Sequence, residues 1–390
     1  MAIELGRSHE TLTRYRDEFP ILDRTTYLNS CSLGALSQRS MDAMGEFMEL
    51  WNSYGASAWY EIWWRELQNV RDAFAELIGA GGHEVAIQPN VSVALSSIAS
   101  ALDFHERPKV VMTELDFPTV FYQWMVKRNP EIELIFLESE DGISVPIEKF
   151  ENAIDERTAL VSTSRVFFTT GYIQDIGAIT ELAHAQGAQV CVDDYQGTGQ
   201  VPIDVRQLNV DHLVTGGLKW LLGGPGIAFH YVREELIERL EPTMTGWFAN
   251  AHQFEFKPQT FAFRDDATRF EQGTPALAPV YAARGGLEIV REIGVERLRE
   301  RTSYLTTDLI ERARKRGFRL RVADDEYDRT GIVMAEMEAP DRMVKALAER
   351  NIIVDYRPGA VRISPYFYNT TEENERILEA IVAIRAADSG

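Results

Sequence analysis

The middle of the chain alternates short apolar runs with amphipathic runs, and this alternation limits the possible folds more than any other feature. Buried strands that alternate with helices predict a mostly parallel sheet with helices on both faces. In such sheets, ligands bind beyond the C-terminal ends of the strands. We therefore predict an α/β fold with a seven-stranded sheet. The strand-like runs are 84–89, 109–115, 131–138, 158–166, 189–194, 211–217 and 226–232, and helix-like runs lie at 92–102, 119–128, 145–154 and 175–187.

The pattern changes on both sides of this region. After about residue 275, a long helical stretch and several short strand-like runs predict a smaller α+β domain. Near the N-terminus, "WNSYGASAWYEIWWREL" (51–67) is too aromatic for a solvated helix face, which indicates internal packing or a subunit interface. We predict an N-terminal helical segment with dimer contacts (1–70), a large domain (71–260) and a small C-terminal domain (261–390).

The composition argues against several classes of partner. The 390 residues carry a formal net charge of −20, which repels nucleic acid and anionic membranes. No run of about 18 apolar residues is present, and the N-terminal stretch is too charged for a signal peptide. Cys31 and Cys191 have neither metal-ligand spacing nor a disulfide framework. We expect a cytoplasmic protein with no metal site and no nucleic-acid or membrane partner.

One lysine lies in an unusual context. Lys219 stands in "HLVTGGLKWLLGGPGIAFHYV" (212–232), between two apolar strand-like runs and just before a glycine-rich turn. Lysine is rarely buried unless it is paired, so a solvated loop lysine is one interpretation. The other is a desolvated amine, which becomes a nucleophile able to form a Schiff base with a carbonyl group.

Two further stretches end at the same predicted edge of the sheet. Asp193 lies near the end of the buried run 189–194. A carboxylate at this position either caps a helix or pairs with a local partner, or it faces a cationic ligand. In "IQPNVSVAL" (87–95), the backbone N–H groups of Asn90, Val91 and Ser92 would face an anion such as phosphate. An ordinary helix cap is the alternative for this stretch.

Taken together, these features resemble the class V aminotransferase family of pyridoxal-phosphate (PLP) enzymes with fold type I, which includes kynureninases and cysteine desulfurases. The resemblance is carried first by Asp193, Gln196 and Lys219, the last followed by "WLLGGPGIAF". Further segments in the same order extend it over nearly the whole chain. They are "YLNSCSLGALS" (27–37), "LIGAGGHEVAIQPNVSVAL" (77–95), "DFPTVFY" (116–122), "GWFANAHQFEF" (246–256), "RFEQGTPAL" (269–277) and "VRISPYFYNTTEEN" (361–374).

The resemblance implies a role for each matched residue around the cofactor ring. Lys219 forms a Schiff base with PLP and later moves protons, and Asp193 pairs with the pyridine nitrogen. Gln196 hydrogen-bonds the phenolate oxygen, and Phe117 stacks on the ring. From the sequence alone, a place in the hydrophobic core remains open for Phe117. The same resemblance implies that the large domain (71–260) binds PLP.

The resemblance assigns the remaining matched residues to the phosphate and the substrate. Asn90 and Val91 hold the phosphate, and Trp247 and Thr274 reach the phosphate bound in the neighbouring subunit, because sites of this fold type are shared across a homodimer. Arg362 binds the α-carboxylate of the substrate with its guanidinium fork. A core position for Trp247 and a surface ion pair for Arg362 are the alternatives.

Several positions depart from the kynureninase and desulfurase patterns. Leu218 stands where desulfurases have His and kynureninases have Tyr, and Val120 replaces an Asp of kynureninase. Arg165 replaces a His, and it either meets an acidic substrate group or forms a structural salt bridge. Neither cysteine lies on the loop before the C-terminal Arg motif, where desulfurases keep a persulfide-forming thiol. These departures argue against kynureninase itself and against ordinary desulfurase chemistry.

The sequence thus predicts a PLP enzyme that removes the Cα proton of an amino acid. The favoured outcome is kynureninase-like cleavage of a bond at Cβ, which is a lyase reaction, and the first alternative is an aminotransferase. A catalytically inactive PLP fold that serves as a binding module is an alternative of another class. A nicotinamide-binding fold fits poorly, because "GGPG" (223–226) is not the G-x-G-x-x-G fingerprint.

Overall fold

A seven-stranded sheet lies at the centre of the protein in the computed structural model, which describes residues 12–126 and 132–388. The strands of the described chain are β1 (Thr26–Tyr27), β2 (Val85–Gln88), β3 (Lys109–Thr113), β4 (Glu133–Leu137), β5 (Thr158–Ser164), β6 (Gln189–Asp193), β7 (His212–Gly216), β8 (Ala228–Val232), β9 (Leu320–Arg321), β10 (Val333–Glu336), β11 (Ile352–Ile353), β12 (Asp355–Arg357) and β13 (Ala360–Ile363). The order in the central sheet is β2-β8-β7-β6-β5-β3-β4.

The direction and burial of these strands match the sequence pattern. β8 runs antiparallel to its neighbours β2 and β7, and the other neighbouring pairs are parallel. β5, β6 and β7 are buried along most of their length, as expected for strands covered on both faces. Each of the seven predicted runs contains one strand of this sheet, so the predicted mostly parallel seven-stranded sheet is confirmed.

Helices begin close to the points where strands end. The helix after β2 starts at the N-cap Asn90, whose Oδ1 accepts a hydrogen bond from Val93 N at 3.0 Å. The helix after β3 has Pro118 at its first position, where the missing N–H costs nothing. Residues 127 and 128 of the predicted helix 119–128 lie outside the described residues. The α-helices are α1 (Gln38–Tyr54), α2 (Trp64–Leu77), α3 (Val91–Ala101), α4 (Pro118–Met125), α5 (Ile147–Ala153), α6 (Ile176–Ala185), α7 (Val205–Leu208), α8 (Glu234–Ile237), α9 (Leu277–Ile293), α10 (Val295–Lys315), α11 (Pro340–Ala348) and α12 (Thr371–Asp388).

A smaller unit with its own sheet follows the central one. Its four antiparallel strands have the order β12-β13-β10-β9, and α10, α11 and α12 contribute side chains to its core. The N-terminal segment is attached to this unit, because β1 pairs in parallel with β11 and Asn29 forms a bridge with Ser364. The predicted α+β unit near the C-terminus is therefore present.

The predicted domain boundaries at residues 70 and 260 stay predictions, and the hydrophobic cores extend across both of them. Leu28 packs in the core of the small unit, whereas Leu277 and Leu298 pack in the core of the large one. Gly294 separates α9 from α10 with a φ of 85°, a conformation that favours glycine because it lacks a Cβ. The two long helices thus connect the two cores.

The aromatic segment 51–67 packs against the core on one side only. Trp63 is buried, and its ring lies 5.6 Å from the ring of Phe47. Trp51 and Tyr60 are exposed instead. Both proposed roles for this segment, internal packing and a subunit interface, are consistent with this arrangement.

Within residues 12–126 and 132–388, no helix is both long enough and apolar enough to cross a membrane. In the same ranges, no cluster of three or more His, Cys, Asp or Glu side chains is arranged to hold a metal ion.

Candidate active site

A cavity of about 470 Å³ lies at the C-terminal ends of the parallel strands. Ser164 and Asp193, the last residues of β5 and β6, line it together with the loop that follows β7. This is the position expected for a ligand site in a sheet of this kind. The cavity brings together seven of the predicted site residues, Asn90, Val91, Phe117, Asp193, Gln196, Lys219 and Arg362.

The backbone around Lys219 is held in a tight turn. Gly223 N donates to Gly217 O at 2.7 Å, and Gly34 N donates to Leu218 O at 2.8 Å. A Cβ at residue 34 would lie 2.2 Å from Lys219 O, so the N-terminal segment can approach this turn only because residue 34 is glycine. The turn fixes the direction of the lysine side chain before any ligand binds.

The amine of Lys219 faces aromatic rings. Its Nζ lies 4.1 Å from the ring centroid of Tyr195 and 6.0 Å from that of Phe117. No described residue forms a hydrogen bond or an ion pair with this atom. Burial lowers the pKa of the amine below its usual value, and the negative charge of Asp193 opposes this shift only in part. A lowered pKa increases the fraction of neutral amine, which is the nucleophilic form.

Asp193 lies on the floor of the same cavity. Its Oδ1 accepts a hydrogen bond from Tyr195 N at 2.9 Å, and its backbone is paired in register with Ser164 of β5. Burial raises the pKa of this carboxyl group, and the negative charges of Asp116 and Asp194 raise it further. The positive charge of Lys219 lowers the pKa but does not cancel the rise. A buried carboxylate of this kind is stabilised when a cationic group is placed against it.

Asp116 is a buried residue directly before the cavity-lining Phe117, and the sequence analysis did not single it out. Its carboxylate accepts hydrogen bonds from Thr113 N at 2.8 Å, Ser164 N at 2.6 Å and Thr163 Oγ1 at 3.1 Å. These bonds join the ends of β3 and β5 and fix the turn that presents Phe117. Burial outweighs the hydrogen bonds and raises the pKa of Asp116 to about 6. Its position directly before the "FPT" motif was the available signal.

Phe117 forms one wall of the cavity. Its side chain is 43% exposed, and its ring meets the ring of Phe168 edge to face at 5.1 Å. The residue therefore does not belong to the hydrophobic core, and one face of the ring is available to a planar ligand.

Two helices begin at the cavity, and their N-termini suit an anion. Asn90 and Val91 form the beginning of α3, and Ser92 Oγ and Thr119 Oγ1, from α3 and α4, share a hydrogen bond of 2.7 Å. Helix N-termini carry unpaired N–H groups and a partial positive charge, which favour a phosphate. Thr119 was not predicted, although it follows Pro118 in the "DFPT" motif.

Gln196 is held by two hydrogen bonds. Its Nε2 donates to Cys31 O at 3.0 Å, and its Oε1 accepts from Trp220 Nε1 at 2.8 Å. A primary amide has two N–H groups, so one remains for a ligand oxygen in the cavity. The amide is thus fixed in orientation while it keeps a free donor.

Arg362 is the predicted carboxylate-binding residue, and it is only 1% exposed. Its Nη1 donates to Phe168 O at 2.7 Å, and its Nη2 donates to Ser32 Oγ at 2.6 Å and to Asp355 Oδ2 at 2.8 Å. Its Nε is buried and has no partner among the described residues. Arg362 is therefore not a surface ion-pair residue. Both Nη2 hydrogens are used, so the donors without a partner in the described chain are one N–H of Nη1 and the buried Nε–H.

Comparisons with known proteins agree with this geometry. A sequence model of the family described as Aminotransferase class-V matches residues 26–377. The chain belongs to this family. It is a PLP-dependent enzyme with fold type I, as the motifs indicated, and PLP is its cofactor.

The similar proteins carry several names. A Bacillus subtilis protein named "Uncharacterized aminotransferase YcbU" is 36% identical over 95% of this chain and 97% of its own length. A kynureninase of Bacillus mycoides is 29% identical over 94% of this chain and 89% of its own length. Among solved structures, a cysteine desulfurase from Thermococcus onnurineus has a TM-score of 0.87 at 21% identity and covers 95% of this chain and 97% of its own. The cystine C–S lyase C-DES has a TM-score of 0.86 at 20% identity, with 93% and 98% covered.

The cavity of this class V family member fits PLP. Lys219, whose amine is desolvated and has no partner among the described residues, could react with the aldehyde. Asp193 offers a buried carboxylate to the ring nitrogen. Phe117 provides an aromatic face, and the N-termini of α3 and α4 provide donors for the phosphate. The roles of the individual residues stay predictions.

Two predicted cofactor residues lie outside this cavity. Trp247 donates its Nε1–H to Gln253 O at 2.9 Å and is partly exposed, and Thr274 lines a separate cavity next to Gln88. The sequence analysis assigned both to the phosphate of a neighbouring subunit. Within one chain this role is not tested, and it stays a prediction.

Arg165 is used within the protein. Its Nε and Nη2 donate to the two carboxylate oxygens of Asp194 at 2.7 and 2.9 Å, and further bonds reach Pro202 O and Val201 O. Arg165 is buried and does not line the cavity. The structural salt bridge, and not an acidic substrate group, accounts for this residue.

Proposed function

We propose that this enzyme acts on an α-amino acid and that Lys219 is both the attachment point of PLP and the base at Cα. The observation that carries the proposal is that one cavity holds both a desolvated amine without a partner among the described residues and a buried carboxylate. A structural lysine would have an acceptor or would reach solvent. A catalytically inactive binding module would have no need to desolvate both groups.

The chain's own side chains divide the chemistry between them. Bound PLP supplies an aldehyde that binds amines and a ring that withdraws electrons from the substrate. The Asp193 carboxylate accepts a charge-assisted hydrogen bond from the ring nitrogen and thereby keeps that nitrogen protonated. Lys219 Nζ removes the proton from Cα and later donates it to another atom of the reacting molecule. Arg362 binds the α-carboxylate and thereby orients the amino acid over the wall formed by Phe117.

The favoured outcome is cleavage of a bond at Cβ, which leaves alanine or pyruvate from the retained three-carbon unit. The proposal is supported by the 29% identity to kynureninases along most of the chain. It is also supported by the two cysteines. Cys191 lies in β6, where burial raises the pKa of its thiol, and Cys31 is buried in the N-terminal segment. Cys31 lines the cavity, but neither cysteine lies on the loop before Arg362, where desulfurases keep the thiol that accepts sulfur from the substrate.

Aminotransfer is the second candidate, because the 36% identical Bacillus subtilis protein is named an aminotransferase. The two reactions differ in their need for a second substrate. We expect the holoenzyme to consume its amino acid without any keto acid and to release a fragment of the carbon skeleton, detected by mass spectrometry. Strict dependence on an added keto acid, with the skeleton intact, would establish the aminotransferase instead. Absence of turnover in a screen of amino acids would favour the binding module.

We further propose a homodimer with shared active sites. The support is a continuous aromatic surface in which Trp64 contacts Phe248 at 5.2 Å and Phe254 at 6.1 Å, measured between ring centroids. This contact joins the segment 51–67 to the predicted phosphate-binding residue Trp247. Several members of the surface are exposed, namely Trp51, Tyr60, Trp247, Phe254 and Phe256. Clusters of exposed aromatic side chains are typical of subunit interfaces.

Subunit mixing tests the shared sites. Lys219→Ala removes the base of a chain's own site, and Thr274→Trp is expected to block the phosphate position of the neighbouring site. Each variant alone should be inactive. A mixture after subunit exchange should recover about a quarter of the wild-type activity, because half of the dimers are mixed and each has one intact site. An active monomer in sedimentation, or a mixture that stays inactive although mixed dimers form, would contradict the proposal.

A further inference from the structure

Three charged side chains share one wall of the active-site cavity. β12 and β13 are antiparallel, with Asp355 opposite Arg362 and Arg357 opposite Ala360. Alternate residues of a strand lie on the same face, and directly opposed residues of neighbouring strands lie on the same face as each other. Asp355, Arg357 and Arg362 therefore lie side by side, and all three line the cavity.

One carboxylate oxygen holds the two guanidinium groups together. Asp355 Oδ2 accepts hydrogen bonds from Arg357 Nη1 at 2.7 Å, from Arg362 Nη2 at 2.8 Å and from Ser32 Oγ at 2.7 Å. Burial raises the pKa of Asp355, but the Ser32 hydrogen bond and the two arginines outweigh it and hold the pKa below its usual value. Asp355 is thus ionised, and the three side chains carry a net charge of +1.

Arg357 keeps its carboxylate-binding edge free. Its Nη1 is bonded to Asp355 and donates to Tyr356 O at 2.6 Å. No described residue accepts a hydrogen bond from its Nε or Nη2. These two N–H groups are parallel and form the edge of a guanidinium group that binds a carboxylate with two hydrogen bonds. The group is placed by Phe168, whose ring centroid lies 5.8 Å from the Arg357 Cζ.

We propose that Arg357 binds an anionic group on the side chain of the substrate, so that the enzyme selects α-amino acids with an acidic side chain. The proposal rests on the proposed function, in which Arg362 takes the α-carboxylate. An acidic amino acid has two anionic groups and one ammonium group, and its net charge of −1 balances the +1 of the wall. A neutral amino acid leaves one guanidinium charge of the wall without a counter-charge from the substrate. The Arg357 side chain is 27% exposed, so water offsets only part of this cost.

The spacing of the two arginines sets the length of the substrate. Because Arg357 and Arg362 bond the same oxygen of Asp355, their guanidinium groups are neighbours. The two anionic groups of the substrate must then lie only a few bonds apart. A short dicarboxylic amino acid meets this condition, and a long one has to fold back on itself.

Binding to the holoenzyme tests the site without any turnover. Titration calorimetry with succinate, a short dicarboxylate, and with butyrate, its monocarboxylate counterpart, should give about 10- to 100-fold tighter binding of succinate, as expected for hydrogen bonds between charged groups. Arg357→Gln should remove this preference. Arg319→Gln is the matched control, because Arg319 is exposed beside the same small sheet and pairs with Glu336, and it should keep the preference. Equal binding of the two acids, no binding of succinate, or a preference that survives Arg357→Gln would overturn the proposal.

Turnover separates this proposal from the proposed function. In the wild-type enzyme, kcat/KM for exchange of the Cα proton with D2O, a step that both candidate reactions share, should be about 10-fold or more higher for aspartate or glutamate than for asparagine or glutamine. Arg357→Gln should abolish the difference. Turnover of neutral amino acids with no gain from an acidic side chain would refute the selectivity and leave the proposed function intact. Succinate binding that depends on Arg357, without turnover of any amino acid, would support the anion site and contradict the proposed function.

Discussion

Replacing Lys219 by alanine is expected to lower turnover by at least about 10³-fold, because a positioned general base alone contributes about 10²- to 10⁴-fold. Among the residues that line the cavity in the described part of the chain, there is no second lysine that could take its place. Steady-state rates at saturating PLP measure the effect. In the wild-type enzyme, borohydride should fix the cofactor on the peptide that contains Lys219, and in the variant PLP should be removed by dialysis.

The folding of this variant should remain intact. The amine has no hydrogen bond within the described chain, so its removal leaves no partner unsatisfied. Lys149→Ala is the matched control, because Lys149 Nζ donates to Glu138 O at 2.8 Å on an exposed part of the protein, away from the cavity. Recovery of the borohydride label on another lysine, or near-normal turnover by Lys219→Ala, would show that the assignment is wrong.

The central fold was predictable because its strands are short and buried. A strand that is covered on both faces needs an almost continuous apolar sequence, as in β3, where all five residues are buried. The same argument is weaker at the edge of the sheet, where β4 is partly exposed and its Phe136 faces outward. β4 was nevertheless found, because turn-forming residues and a helix pattern follow it.

The floor of the site was predictable for a related reason. Parallel strands end at one edge of a sheet. Asp193 ends β6 and Lys219 follows the neighbouring strand β7, so the two residues had to come close together. Their chemistry came from the resemblance to the family, since an acid and an amine at a sheet edge are compatible with many reactions.

The wall around Arg362 could not be predicted in the same way. It depends on the register between β12 and β13, and shifting one strand by one residue would turn Asp355 and Arg357 to the opposite face. It depends also on Ser32, which reaches the wall because the N-terminal segment crosses to the small unit through β1 and β11. No local pattern in the sequence indicates a contact between residues more than 300 positions apart.

Trp247 and Thr274 illustrate a different limit. Their predicted role involves the phosphate of a neighbouring subunit, and a single chain places them outside the Lys219 cavity. The aromatic contacts between Trp64 and Phe248 do connect the N-terminal segment with the Trp247 region. An interface of this kind is a property of two surfaces together, so the subunit-mixing experiment decides it.

Replacing Asp193 by asparagine is expected to lower turnover by about 10²- to 10³-fold, comparable to the loss of a preorganised charge-stabilising group in other active sites. Asparagine has nearly the same shape but no negative charge, so it cannot hold a proton at the ring nitrogen. Asp72→Asn is the matched control, because Asp72 is an exposed residue of α2 that accepts a hydrogen bond from Gln68. Near-normal turnover by Asp193→Asn would rule out the proposed role.

The same substitution, which should lower turnover by the holoenzyme, should raise the thermal stability of the apo protein. Burial raises the folded-state pKa of Asp193 above its unfolded value, so the carboxylate lowers stability once the pH exceeds the unfolded pKa, and the loss is complete above the folded pKa. Asp193→Asn should therefore raise the Tm of the apo protein at pH 8. This gain should shrink as the pH falls and should vanish below about pH 3, where the carboxyl group is protonated in both states. In the holoenzyme the gain should disappear or reverse, because the wild-type carboxylate then has its cationic partner. A Tm of the apo variant that falls at pH 8 would mean that Asp193 is held by structural partners within the protein and is not poised for a cationic ligand.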